Sequence, residues 1–242
     1  MLTKTAKSLI AVDEQLSAKV DTLSFGPPVE YVYNPLRYAK DVWKQYIELY
    51  ARGTRRIVFL GMNPGPFGMA QTGVPFGDVA MVRDWLHINA RITSPKSTHP
   101  KRPVLGFDNP RSEVSGTRLW GWAKERFVEP KFFFEHCFVV NYCPLLFLAD
   151  TGRNITPDKL AADEREPLLR LCDDAIRAKV DVLKPEWVIG VGAWAEQRAR
   201  EALHDRTLKI GRILHPSPAS PKANRGWAAA ADKELKALGV RL

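Results

Sequence analysis

The sequence predicts an α/β fold: three layers, α/β/α, around a central, mostly parallel sheet of four strands. Three observations carry that expectation. Four short runs rich in Val, Ile or Phe stand apart along the chain, each closed by a glycine or proline, as buried strands are. Segments with apolar residues at helical spacing fill the intervals, and strand alternating with helix requires crossover connections and hence parallel pairing. The 242 residues, 45% apolar and 10% aromatic, also supply enough side chains for a sizeable core. No internal repeat, low-complexity tract or linker divides the chain, so a single domain over 1–242 is expected.

The chain opens with helical spacing from Ser8 to Val20. A Phe25-Gly26-Pro27-Pro28 loop separates it from a second helical stretch, Pro35 to Tyr50, which sets Leu36, Trp43, Ile47 and Tyr50 toward one face. The first strand, Arg55-Arg56-Ile57-Val58-Phe59-Leu60, stops at Gly61. The other three are Cys137–Tyr142, Trp187–Val191 and Ile210–Leu214, and helices are expected at about 78–90, 116–127, 158–183, 193–204 and 222–238. Residues 57–77 carry no charge, yet five glycines, three prolines, Asn63 and Gln71 exclude a membrane span there. The N-terminal MLTKTAKSLIAVDEQL has only a short apolar stretch before Asp13 and Glu14 and does not read as a signal peptide.

Charge narrows the partner. Thirty-six Lys and Arg against 27 Asp and Glu leave +9, which suits nucleic acid or an anionic membrane surface. Cys137, Cys143 and Cys172 are odd in number and unpaired in spacing, which points to a reducing, intracellular compartment rather than a disulfide framework. His87, His99, His136 and His204 lack metal-ligand spacing, so neither a metal nor a cofactor is expected.

In open α/β sheets ligands bind beyond the carboxyl ends of the strands. After the first strand comes Gly61-Met62-Asn63-Pro64-Gly65-Pro66-Phe67-Gly68, and then Gly73-Val74-Pro75-Phe76-Gly77-Asp78, a stiff loop in which backbone can approach a ligand closely. Without a Gly-Lys-Ser/Thr it is not a phosphate loop. The second strand ends in Asn141-Tyr142-Cys143-Pro144-Leu145, where the amide suits a turn as well as a ligand. The fourth ends in His215-Pro216-Ser217-Pro218-Ala219-Ser220-Pro221, within a stretch, 206–231, that has five basic residues and no acidic one. Gly190-Val191-Gly192-Ala193-Trp194-Ala195 matches a dinucleotide fingerprint formally. It lies late in the chain with no acidic strand end after it, and reads instead as close strand-to-helix packing.

Together these strand-end motifs resemble those of the single-strand-selective monofunctional uracil-DNA glycosylases, over roughly residues 25–235. The resemblance implies the uracil-DNA glycosylase superfamily fold and hydrolysis of the N-glycosidic bond of a flipped-out base. By it, Asn63 positions the attacking water and His215 hydrogen-bonds uracil O2, while Phe76 stacks the base, Asn141 reads its Watson–Crick edge and Met62 lines the pocket. Gly65 leaves room at C5, which adds oxidised uracils such as 5-hydroxymethyluracil to the substrates. No lysine in the two principal motifs can form a Schiff base, so the enzyme is monofunctional. Pro216, Ser217, Pro218, Ala219 and Ser220 correspond to the wedge that enters DNA, with Lys222, Asn224 and Arg225 beside it. The small tip at Ala219 argues against strong intercalation. Arg91 to Lys131, with nine basic and four acidic residues, extends the phosphate-binding surface. The expected partner is uracil-containing DNA, single- or double-stranded, bound by a monomer acting on DNA inside the cell. The alternatives are a superfamily glycosylase for deaminated purines and a non-catalytic DNA-binding module. The iron–sulfur branch is disfavoured because three cysteines cannot supply four ligands.

Overall fold

The computed structural model describes residues 2–242. The first half runs α1 (Lys4–Val20), β1 (Tyr31–Tyr33), α2 (Pro35–Tyr38), α3 (Lys40–Tyr50), β2 (Ile57–Gly61), α4 (Met69–Thr72), α5 (Val114–Phe127) and α6 (Pro130–His136). The second runs β3 (Cys137–Asn141), β4 (Leu146–Leu148), β5 (Asn154–Ile155), α7 (Ala162–Leu183), β6 (Trp187–Val191), α8 (Ala193–Ala202), β7 (Lys209–Ile213), α9 (Pro221–Asn224) and α10 (Trp227–Ala237).

The four expected strands form one sheet in the order β3-β2-β6-β7, and every pairing is parallel. β2 and β3 are buried at every position, as strands covered by helices on both faces must be. Lys209 and Arg212 are exposed on β7, which lies at the sheet edge. Register aligns the strand ends: Gly61 pairs with Asn141 and Val191 with Ile213. All four carboxyl ends therefore open on the same edge, which is where the functional loops leave. The helices gather in two groups, α1 with α7 and α8, and α5 with α6 and α10. Lys179 of α7 and Asp13 of α1 form a buried ion pair between two of these helices.

Four local differences from the sequence reading have physical causes. A second, antiparallel sheet, β1-β4-β5, was not expected, because strands of two or three residues are too short to display a period. The helical stretch 35–50 breaks at Ala39 into α2 and α3. The helix expected over 78–90 reduces to a π-helical turn at Met81–Trp85. The chain reverses at His87, with φ +52, and thereby buries Ile88 beside Leu86. Gly226, at φ +121, divides the C-terminal helix into α9 and α10.

Candidate active site

The first motif leaves β2 at Gly61, a position that tolerates no side chain. A Cβ there would lie 2.7 and 2.9 Å from Phe76 ring carbons and closer still to Asn141 Oδ1. The missing side chain is what lets the Phe76 ring and the Asn141 amide meet over the end of the central strand. Asn141 itself is buried, and its Nδ2 donates to Met69 Sδ at 3.2 Å. That contact uses one amide hydrogen and orients the group, leaving the second hydrogen and Oδ1 for a ligand.

Phe76 adopts φ +54, a left-handed conformation rare for a bulky residue and costing on the order of 1–3 kcal/mol, found mainly where surrounding structure enforces it for function. Its carbonyl accepts from Asp78 N at 2.8 Å and is pressed by Gly116 of α5, where a Cβ would sit 3.0 Å from the Phe76 carbonyl carbon. Trp120, also on α5, donates its indole N–H to the neighbouring Pro75 carbonyl at 3.2 Å. The ring is half-buried and lies 6.1 Å from the His215 ring, centroid to centroid.

Asn63 donates Nδ2 to the Leu145 carbonyl at 3.2 Å, so its Oδ1 is held as the free acceptor. His215 follows β7 and packs on Gly192 at the end of β6, where a Cβ would lie 3.2 Å from its own Cβ. The Ser217 backbone N–H donates to His215 Nδ1 at 3.1 Å. An accepting Nδ1 leaves the proton of the neutral ring on Nε2. Burial holds the His215 pKa below the ordinary value of 6.5, which favours that neutral form at pH 7.

Of the residues singled out from sequence, Met62, Asn63, Gly65, Phe76, Asn141, His215, Ser217 and Pro218 line one cavity of about 400 Å3. Pro216 is buried under the loop, and Ala219, Lys222 and Arg225 are exposed beyond it. Ser220 caps α9, accepting from Ala223 N at 3.4 Å. Asn224 points back into the loop: Nδ2 donates to the Pro218 carbonyl at 2.9 Å and Oδ1 accepts from Arg118 Nη2 at 2.8 Å.

Several lining or supporting residues escape sequence reasoning. Met69, Pro66, Ser115, Asn154 and Thr156 complete the cavity wall, together with Glu113. Glu113 fills the space a Gly65 side chain would take, with Oε2 2.6 Å from a Cβ built there. Burial pushes the Glu113 carboxyl above its ordinary range, against hydrogen bonds from Ser115 and with a contribution from Asp78. Arg118 of α5 fastens the His215 loop through the Pro216 and Ser217 carbonyls at 3.0 and 3.3 Å. The Gly190 reading agrees with the geometry: a Cβ there would come within 2.6 Å of Glu196 Cα on α8.

A model of the uracil DNA glycosylase superfamily matches residues 48–236. The chain is 51% identical over 237 residues to a single-strand selective monofunctional uracil-DNA glycosylase of Rattus norvegicus, covering 97% of this chain and 85% of the relative. It is 50% identical, with the same coverage, to the enzyme of that name from Mus musculus. A crystal structure of Pedobacter heparinus SMUG2 superposes with TM-score 0.64 at 16% identity, covering 94% of this chain and 97% of that one, which is a likeness of fold. Identity near one half across almost the whole chain makes this protein a member of the single-strand-selective monofunctional uracil-DNA glycosylase family, hydrolases of N-glycosyl bonds within the uracil-DNA glycosylase superfamily.

Proposed function

We propose that this enzyme excises uracil and C5-modified uracils such as 5-hydroxymethyluracil from single- and double-stranded DNA, leaving an abasic site. The observation that carries the proposal is the convergence of Asn63, Phe76, Asn141 and a neutral, Nε2-protonated His215 on one cavity at the sheet edge.

Extruding a nucleotide costs a few kcal/mol, which pocket contacts must return. Phe76 stacks the base, worth on the order of 1–3 kcal/mol. Asn141 accepts from uracil N3–H through Oδ1 and donates to O4 through the Nδ2 hydrogen that Met69 does not use. Cytosine presents the opposite pattern and leaves buried polar groups unpaired, at about 1–3 kcal/mol each.

Cleavage adds one water across the glycosidic bond: the hydroxyl goes to C1′ and the hydrogen ends on uracil. Asn63 Oδ1 accepts from that water and orients it toward C1′; an amide does not take its proton as a carboxylate base would. Negative charge grows on the departing base, and His215 Nε2–H donates to O2 as it does so. A neutral donor fits this task, because its proton need not be transferred for the charge to be stabilised. Gly65 brings no side chain to the C5 side, and the Glu113 carboxyl takes up the space beside it, so a C5 substituent would meet that carboxyl.

Beyond the cavity, Lys222 and Arg225 contact phosphates, and the small Ala219 tip enters the gap less deeply than a bulky wedge. The working unit is the whole chain as one domain and a monomer, acting on DNA inside the cell. The test is base release from a uracil-containing single-stranded oligonucleotide in EDTA, repeated with duplex, 5-hydroxymethyluracil, xanthine and hypoxanthine. The expected result is alkali-labile sites at uracil and 5-hydroxymethyluracil. No cleavage at uracil beside a working control enzyme refutes the proposal, and preferential release of the purines reassigns it.

A further inference from the structure

Outside the cavity, the Gly-Pro loop carries a second feature that the chemistry above does not use. Phe67, next to the cavity-lining Pro66, is half-buried, and two guanidiniums lie over its ring: Arg102 at 5.2 Å and Arg111 at 5.0 Å from the centroid. Neither arginine has a carboxylate within 4.0 Å among the described residues. Arg102 Nη1 donates only to the adjacent Lys101 carbonyl at 2.8 Å, and its Nε is buried without a partner.

The backbone under both cations is riveted to the loop. Gln71 donates to the Pro66 and Pro103 carbonyls at 2.9 and 3.0 Å and accepts from Leu105 N at 2.8 Å. Tyr33 Oη donates to the Arg102 carbonyl at 2.8 Å. Asn109 Nδ2 reaches the Phe67 carbonyl at 3.4 Å and the Arg111 carbonyl at 2.9 Å. Two unneutralised cations are thus held against one aromatic ring beside the cavity wall, although the core needs neither.

We infer that Phe67, Arg102 and Arg111 form a preorganised phosphate clamp for the single DNA strand that runs past the cavity mouth. Stacking on the ring restricts the guanidiniums before DNA arrives, and their planar forks suit phosphate oxygens. With both guanidiniums over it, the ring positions cations rather than a base. The inference rests on the glycosylase reading, since that reading puts a DNA strand at this mouth.

The experiment is equilibrium binding of a uracil-free single-stranded oligonucleotide by fluorescence anisotropy, from 50 to 200 mM salt, with excision of uracil by the wild type run in parallel. Each phosphate contact on a single strand adds about 0.7 to the slope of log K against log salt. Arg102→Gln with Arg111→Gln should lower the slope by about 1.4 and weaken binding several-fold at 100 mM salt. Arg111→Gln alone, at an exposed position, should lower it by about 0.7 and guards against misfolding of the double variant. Restoring charge with the paired lysines should recover most of the slope. An unchanged slope in folded Arg111→Gln and in the double variant overturns the clamp, even if uracil is excised. Failure of the wild type to excise uracil, with the slope change present, instead overturns the glycosylase reading and leaves a nucleic-acid clamp.

Discussion

Gly61→Ala is the smallest change that addresses the site through its architecture rather than its functional groups. The new methyl would stand 2.7 Å from Phe76 Cε2 and nearer to Asn141 Oδ1, whereas ordinary van der Waals contact begins at 3.4 Å. The strand cannot yield, because Gly61 pairs with Asn141 in the sheet and its carbonyl accepts from Tyr142 N at 2.9 Å. The Phe76 ring and the Asn141 amide must therefore retreat by about 0.7 Å or more, out of the positions in which the proposed function has them stack and read the base. A misplacement near 1 Å costs about 100-fold in rate, or ~2.7 kcal/mol. Overpacking costs about 1–3 kcal/mol of stability, which in a chain of this size lowers Tm by ~2–12 °C. The assay is single-turnover excision from a single-stranded uracil oligonucleotide, with Tm measured on the same preparation. Excision within about threefold of wild type in the folded variant would show that the meeting of Phe76 and Asn141 at Gly61 does not matter.

Other outcomes follow from the same geometry. Asn63→Ala and His215→Ala should each slow excision by roughly 100- to 1,000-fold while single-stranded DNA binding persists, read by single-turnover rates and anisotropy. His215 protonates below its usual range, so its protonation should not lower the rate between pH 8 and 6.5. The unfolded chain binds that proton first as pH drops below 6.5, so this histidine's contribution to stability should diminish there; Tm at pH 5.5 and 7.5 checks it, and His215→Gln should make the loss of Tm at pH 5.5 smaller than in the wild type. Met69→Leu conserves volume but removes the acceptor that orients Asn141, and should lower kcat/KM on uracil about tenfold with Tm nearly unchanged. Arg118→Ala frees the His215 loop from three hydrogen bonds and should lower kcat more than it raises KM.

The parallel sheet is legible in the sequence because central strands buried on both faces are near-continuous apolar runs, as Ile57–Leu60 and Cys137–Val140 are. Asn63, Phe76, Asn141 and His215 are legible for a related reason, since each stands at the end of such a run or in the loop that follows it. The supporting residues are not, because their roles are set by neighbours distant in sequence. Gly61 reads as a strand stop, yet its function is to be absent where Asn141 and Phe76 approach. Glu113 sits in an ordinary Ser-Glu-Val-Ser helix start, with nothing local to mark its packing under Gly65. Arg118 is one of nine basic residues between 91 and 131, and only the fold brings it to the His215 loop. Asn224 shows the converse, an exposed polar residue that the sequence sets beside the DNA wedge but whose amide is spent on Pro218 and Arg118.

The titratable groups lining the cavity are His215 and Glu113, and burial moves both toward neutrality: the imidazole down, the carboxyl up. By the proposed mechanism the negative charge that grows on uracil meets oriented dipoles in the cavity, while cations outside it govern affinity and salt dependence. Glu113 tests this directly, because its ionised form would oppose the departing uracil anion. Asp78 favours the protonated carboxyl, and the Ser115 and Phe67 hydrogen bonds favour the carboxylate, so ionisation lies above the ordinary carboxylate range. Glu113→Gln keeps the shape under Gly65 and removes the titration. Its rate relative to wild type should rise as pH increases through the ionisation of Glu113, then level off. A ratio that stays constant with pH, in a variant that excises uracil normally, would show that the carboxyl is only packing for Gly65 and carries no electrostatic weight in the reaction.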